Sequence, residues 1–568
     1  MRTTLQQSKP RVRRSKPISG LPLEREWVEV FSEPALQPFT TALREWLPSR
    51  RWFRGKARPV ESVSIREQIP VPMGGKKAFL VLFQVNYAGS DSELYVLPLA
   101  CAFGKKAGDV RREFPKLIVA AVALQRGRKD GVVYDAIVSK RFCRALLDLT
   151  SKRRKAAGGN GELEAEPAEA LRRMRREQDR NLQPSVSKAE QSNSSVIYGD
   201  SVILKFFRRL DAGVNPELEI ERFLAARSFP HSPSLAGALE YRAADGKTST
   251  VAVLTSFVPG CHDAWEDTVA ALTRFYTRVQ DLPAKLRRSP PPAATSASIV
   301  DNAGLLLKPS KLIGSYLRDA RTIGRRTAAL HLALASDPSD PAFRPEPWTR
   351  GAQQSLFESM RTMTERDFQL LRRRAASLPP DARRLAQKVL PLESLLLRRF
   401  VRVADRPLDA VRIRTHGDYH LGQILHHGED FLIIDFEGEP AISLEERRVR
   451  QTAFRDVAGM IYSFFYAAYA ALREPALARF LAAQPKAKAA WARYWSVWVG
   501  TAFLTAYLET ARSAPFIPAD EASLKIMLET ELLRKAVYEL GYELNNRPDW
   551  IHIAFQVLLD LLDPNQPI

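Results

Sequence analysis

His416-Gly417-Asp418-Tyr419-His420-Leu421-Gly422-Gln423, followed twelve residues on by Asp435-Phe436-Glu437, is the stretch that decides how this chain reads. An acid precedes an amide by five positions, and a second acid lies beyond a hairpin. Residues 424–427, 428–430 and 431–434 read as strand, tight turn and strand, which returns Asp435 to the neighbourhood of Gln423. That layout suits phosphoryl transfer. Asp418 can accept the proton of an attacking hydroxyl, while Gln423 and Asp435 can share the magnesium ions that neutralise a transferring phosphate. A lone His-Gly-Asp is a common turn and Asp-Phe-Glu occurs by chance, so the signal lies in their order across the hairpin.

A site of this kind predicts a lysine on an upstream strand. Ser192-Asn193-Ser194-Ser195 leads into Val196-Ile197-Tyr198, a Gly199-Asp200 turn and Val202-Ile203-Leu204-Lys205-Phe206-Phe207. Alternation puts Ile203, Lys205 and Phe207 on one face and Val202, Leu204 and Phe206 on the other. A lysine among five apolar residues is costly to bury unless its charge is met, and the α/β-phosphates of ATP would meet it. The plain alternative is an edge-strand lysine that snorkels to water. Ser192, Asn193 and Ser194 would offer hydroxyl and backbone N–H groups to phosphate, and backbone at Ser256 to Val258 would meet adenine. Asn215 and Pro216 read as the N-cap and first residue of a helix on which Glu219 and Glu221 are both candidates to pair with Lys205.

The remaining composition fits a globular enzyme of 568 residues, 45% of them hydrophobic. We expect an α+β, bilobal, protein-kinase-like fold. Residues 1–20 read as a disordered basic tail and 21–105 as an α+β cap with strands at 62–71, 77–87 and 93–99. Residues 106–258 read as an intermediate subdomain with the lysine lobe, and 259–568 as a helical lobe. Lys152-Arg153-Arg154-Lys155 and Arg172-Arg173-Met174-Arg175-Arg176 mark 150–190 as a solvated insertion. The net charge of +21 raises nucleic-acid binding, yet no recognition motif accompanies it, so no specific nucleic acid is expected. Cys101, Cys143 and Cys261 lack metal-ligand spacing and suggest a reducing cytoplasm. The apolar run 457–472 is short and carries Ser463 and three tyrosines, so it reads as a buried helix and no membrane partner is expected. His331 sits on a regular helix face and reads as a packed structural histidine.

These residues resemble the bacterial maltokinases, which have an aminoglycoside-phosphotransferase-like kinase fold and phosphorylate maltose with ATP. The resemblance runs from about residue 25 and rests on long motifs in order. They include Arg51-Trp52-Phe53-Arg54-Gly55-Lys56, Gln191-Ser192-Asn193, Asn215-Pro216 with Glu219, Gly324-Arg325-Arg326-Thr327 and the catalytic turn. Beyond it come Arg455-Asp456-Val457-Ala458-Gly459-Met460 and Tyr538-Glu539-Leu540-Gly541-Tyr542 continuing to Trp550. The resemblance implies that Glu219 takes the pairing role, that Asp456 braces the catalytic loop, and that Lys535, Tyr538, Glu539, Tyr542 and Trp550 hold the sugar, with His416 among the substrate contacts. It also implies maltose 1-phosphate as product, for α-glucan and glycogen synthesis, and a trehalose synthase as partner, since some relatives are fused to one. Lys535, Tyr538, Glu539, Tyr542 and Asn546 share one helix face, and a sugar site needs such aromatic and charged groups. The competing readings are a kinase for another sugar such as an amino sugar, a silent kinase-like subunit, and a nucleic-acid binder.

Overall fold

A computed structural model describes residues 20–563 except 76, 90, 177–181, 187–192, 289–308, 475–476 and 478–484. The tail expected to be disordered lies outside the described residues. The chain divides into two compact units, residues 1–215 with 235–257, and residues 216–234 with 258–568.

The first unit is built on two seven-stranded sheets. One runs in the spatial order Leu21–Leu23, Ile118–Leu124, Lys129–Asp135, Ser92–Phe103, Lys77–Tyr87, Val60–Pro72, with Arg209–Leu210 pairing on Ser92–Phe103. The other runs Lys155–Ala157, Gly161–Pro167, Leu235–Ala243, Thr248–Ser256, Val202–Phe206, Ser194–Tyr198, Pro184–Val186. Strand Lys77–Tyr87 is apolar on both faces, as a covered strand must be. Val81, Phe83 and Val85 pack with Trp27, Phe39 and Leu43, whereas Leu80 and Leu82 share a core with Val196, Tyr198 and Leu204 of the lysine hairpin. The cap sheet therefore continues through Asp135, past the boundary expected near residue 105, and the two sheets are joined by a common core.

The basic stretch expected to be a solvated insertion is ordered wherever it is described. Gly161–Pro167 alternates glutamates with the buried Leu163 and Ala165 and pairs with Leu235–Ala243. Its glutamates meet Lys155 and Arg242, at 2.9 Å from Glu162 and 3.0 Å from Glu164 respectively, while helix Glu169–Arg176 buries Leu171. The count of basic residues concealed a period-two pattern.

The second unit is mainly helical. Its long helices are Ala264–Gln280, Tyr316–Leu334, Arg350–Arg374, Phe454–Ala471, Pro485–Ala511 and Glu521–Asn546. Phe454–Ala471 is buried almost throughout, as its unbroken apolar sequence requires. Among the described residues no helix is long and apolar enough to cross a membrane. The cysteines are free.

One polar knot lies inside this helical core. The Tyr469 hydroxyl and Gln556 Nε2 both donate to Asp560, and Arg493 Nη1 lies 4.0 Å from its Oδ1. Burial nevertheless pushes the Asp560 carboxyl up from 3.8 to about 6. A folded pKa above the unfolded one favours the protonated form, so this contribution is complete below about pH 4 and is lost as pH rises through about 6. Relative to Asp560→Asn, the natural protein should lose about 3 kcal/mol of stability between pH 4 and pH 7.5. Urea unfolding of both proteins at the two pH values measures it, and parallel pH profiles would contradict it.

Candidate active site

The catalytic turn is held in place by a buried carboxylate. Asp456, on helix Phe454–Ala471, accepts from the backbone N–H of His416 at 2.7 Å and of Gly417 at 2.9 Å, and contacts His331 Nε2 at 3.0 Å. Burial opposes its charge, but His331, His416 and the Gly417 N–H outweigh burial and hold its pKa below the ordinary range. This is the bracing role expected of Asp456. His331 is fully buried and also bonded to the Tyr507 hydroxyl at 2.9 Å, which makes it the structural histidine its sequence context suggested. Two glycines make the turn fit. Gly417 has φ +84°, which L side chains rarely adopt, and a Cβ on Gly459 would come within 2.5 Å of the Tyr419 carbonyl.

Beyond the turn, Ile424–His427 pairs with Asp430–Ile433 as an antiparallel hairpin. The Ile434 N–H donates to the Gln423 carbonyl at 3.0 Å, so Asp435 does return beside Gln423. The carboxylates of Asp435, Glu437 and Glu217 lie within 4.8 Å of one another. Neither glutamate was singled out as a metal ligand from sequence. Three carboxylates so close together suit a hard divalent cation.

Within its own unit Glu219 is held by two arginines. Arg414 Nη1 reaches its Oε2 at 2.6 Å and Arg448 Nη2 its Oε1 at 2.7 Å, so both oxygens carry guanidinium partners. Burial works against its charge, yet Arg448 and Arg414 keep its pKa below the ordinary range. It ties helix Pro216–Ala226 to the strand leading into the catalytic turn, while Glu217 is the glutamate of that helix that lies beside Asp435.

A cavity of about 530 Å³ opens against Asp418, a size common for small-molecule sites. Lys535, Tyr538, Glu539, Tyr542 and Trp550, the residues expected to hold the sugar, all line it. Lys535 pairs with Glu539 at 2.8 Å; burial disfavours its charge, but Glu539 and Asp418 more than offset this and raise its pKa. His420 lines the cavity too, and its Nδ1 accepts from the Gly422 N–H at 3.1 Å, which leaves the proton on Nε2. Burial, helped by Lys535 and His416, lowers its pKa and favours that neutral ring.

Sequence reasoning missed the opposite wall. Trp265, Tyr466 and Arg547 also line the cavity, with the Trp550 ring parallel to Tyr466 at 6.1 Å and Arg547 held by Glu543 at 2.7 Å. Tyr466 belongs to a helix apolar on every side, so no pattern marked it out. His416 does not reach the cavity. It is 1% exposed, its Nε2 is 2.9 Å from the Ile434 carbonyl, and Tyr419 and Phe436 flank its ring, so it fastens the turn to the hairpin.

Of the residues expected to handle nucleotide, Ser192 to Ser194, Lys205 and Ser256 belong to the first unit, and Glu219 and Val258 to the second. Strand Val202–Phe206 buries Val202, Leu204 and Phe206 and leaves Ile203 and Lys205 half-exposed, the alternation expected. Lys205 lies opposite Ser195 and Val253 in register. Ser194 opens the neighbouring strand, Asn193 precedes it, and Ser192 falls outside the described residues. Ser256 ends strand Thr248–Ser256, where the Phe257 N–H donates to the Ser201 carbonyl at 2.8 Å, and Val258 follows in the connecting segment.

Known proteins share this organisation. Residues 46–138 match the maltokinase N-terminal cap domain, and residues 181–494 match the phosphotransferase enzyme family. A glucosamine kinase of Streptacidiphilus jiangxiensis is 24% identical over 378 residues, 66% of this chain and 72% of its own. One from Mycolicibacterium smegmatis (strain ATCC 700084 / mc(2)155) is 25% identical over 377 residues, 66% of this chain and 78% of its own. The structure of a glucosamine kinase in complex with glucosamine, ADP and inorganic phosphate has TM-score 0.57 at 18% identity, covering 92% of this chain and 99% of that one, a likeness of fold.

Proposed function

This chain belongs to the phosphotransferase enzyme family, and on that premise we propose that it transfers the γ-phosphoryl group of ATP to the anomeric hydroxyl of maltose, giving maltose 1-phosphate. It is a kinase with an alcohol acceptor, and its cap marks it as a sugar kinase. The acceptor is the proposed part.

The observation that carries maltose is the cavity itself. Asp418 stands at one side as the base, and Trp550, Tyr466 and Trp265 form apolar surface on which the C–H faces of a second sugar ring can lie. The names of the relatives favour glucosamine as the rival. An ammonium group, however, calls for a carboxylate free to compensate it, whereas Glu539 already carries Lys535 and Glu543 carries Arg547. Asp263 caps helix Ala264–Gln280 by accepting from the Trp265 N–H at 2.7 Å, and burial raises its pKa. Such a lining suits a neutral acceptor whose hydroxyls both donate and accept.

In this reading Asp418 orients the anomeric hydroxyl and receives its proton, while Lys535 stabilises the carboxylate between turns of the cycle. Lys205 fixes the α/β-phosphates. Magnesium, when bound, neutralises charge on the phosphate oxygens, and Gln423 and Asp435 with Glu217 and Glu437 would hold it. Positioning and charge neutralisation supply most of the rate. A coupled assay with ATP and magnesium over maltose, glucose, glucosamine and trehalose tests the acceptor. Maltose should give the highest kcat/KM. A preference for glucosamine would overturn maltose and leave the kinase assignment intact.

A further inference from the structure

We propose that Arg208 is a positioning residue for the nucleotide, carrying the grip of the cap, through Asp135 and Trp52, to Ser194 at the start of the hairpin that bears Lys205. Arg208 is 1% exposed and lies three residues beyond Lys205. Its Nε donates to Ser194 Oγ at 2.9 Å, and its Nη2 is 2.8 Å from Asp135 Oδ2, an ion pair without a linear hydrogen bond. The guanidinium sits 5.2 Å from the ring centres of both Trp52 and Phe206. Trp52 and Asp135 belong to the part of the chain that matches the cap domain, and Phe206 and Ser194 to the lysine hairpin.

The cost of this arrangement points to a role beyond stability. A guanidinium in an apolar interior is expensive, and a well-packed hydrophobic residue often serves stability as well as a buried ion pair does. Here Nη1 has no partner among the described residues, so even the compensation is incomplete. Location is what the arginine provides. Asp135 is itself fixed, since its Oδ1 accepts from the Ile137 N–H at 3.1 Å, and the Arg208 carbonyl accepts from the cap-strand residue Val96 at 2.8 Å. On the other side, Ser194 pairs with Phe206 and Ser195 with Lys205 in the same ladder. Fixing the Ser194 hydroxyl sets the strand edge beside the lysine. This function of Arg208 rests on ATP as the donor and is independent of which sugar accepts.

The test uses the full chain without sugar. ATP affinity in the presence of magnesium is measured calorimetrically for the parent, Ser194→Ala, Asp135→Asn, Arg208→Lys and the Asp135→Asn/Ser194→Ala double variant, with KM values for both substrates alongside. Each single variant should weaken ATP binding about tenfold, the scale of one charge-assisted hydrogen bond, with the acceptor KM unchanged. The double variant should be no weaker than the worse single one, because both changes cut the same chain of contacts. Asp135→Asn, at a residue with no proposed contact to nucleotide, carries the test if Arg208→Lys fails to fold. Parental ATP affinity in Asp135→Asn, multiplicative effects in the double variant, or a change in acceptor KM alone would each overturn the proposal.

Discussion

Asp418→Asn is expected to lower kcat by ~10²–10⁴-fold, the contribution of a positioned general base, with the KM for ATP and for sugar moving only a few-fold. The amide keeps the size and hydrogen-bonding shape of the carboxylate but cannot take a proton, so the loss should fall on the chemical step and not on binding. Asp418 is the acid of the catalytic turn that faces the cavity, beside Lys535 and His420. ADP release measured at saturating substrates reads the effect directly. Parental turnover in Asp418→Asn would dismiss it as the base.

The second large effect should come from a residue that never meets substrate. Asp456→Ala removes a buried carboxylate that accepts from two backbone N–H groups of the turn and contacts His331. Breaking a buried charged network by deleting one partner typically costs about 3–5 kcal/mol. The variant should therefore show a lower urea midpoint, and where still folded its kcat should fall because the backbone of His416 and Gly417 is no longer clamped. Asp456→Asn, which retains a single acceptor oxygen, should recover part of the stability. Equal stability of the parent and the alanine variant would remove the clamp from the account.

What the sequence disclosed was local. Alternation along 202–207 assigned Lys205 its face, the turn chemistry at 428–430 gave the hairpin, and three-to-four spacing along 535–542 put four cavity residues on one helical face. What it concealed depended on contacts between distant segments. The guanidinium partners of Glu219 lie 195 and 229 residues away and nothing near Glu219 announces them. Glu217 and Glu437 meet Asp435 only once helix 216–226 has packed against the hairpin segment. His416 came among the substrate contacts from the resemblance, and nothing in its own neighbourhood announces that its Nε2 lies 2.9 Å from the Ile434 carbonyl. The order in 155–176 was hidden because charge was counted without regard to its period.

The apolar floor shared by Leu80, Leu82, Val196, Tyr198 and Leu204 has a bearing on how such enzymes can diverge or be recombined. A chimera that exchanges the first 138 residues for those of a relative inherits one half of a jigsaw whose other half lies under the lysine hairpin. Unless both halves travel together, the graft leaves voids or clashes beneath the lysine hairpin. Drift in the amino-terminal third is thereby coupled to the lysine hairpin, while the cavity beside Asp418 is lined wholly by residues of the helical unit.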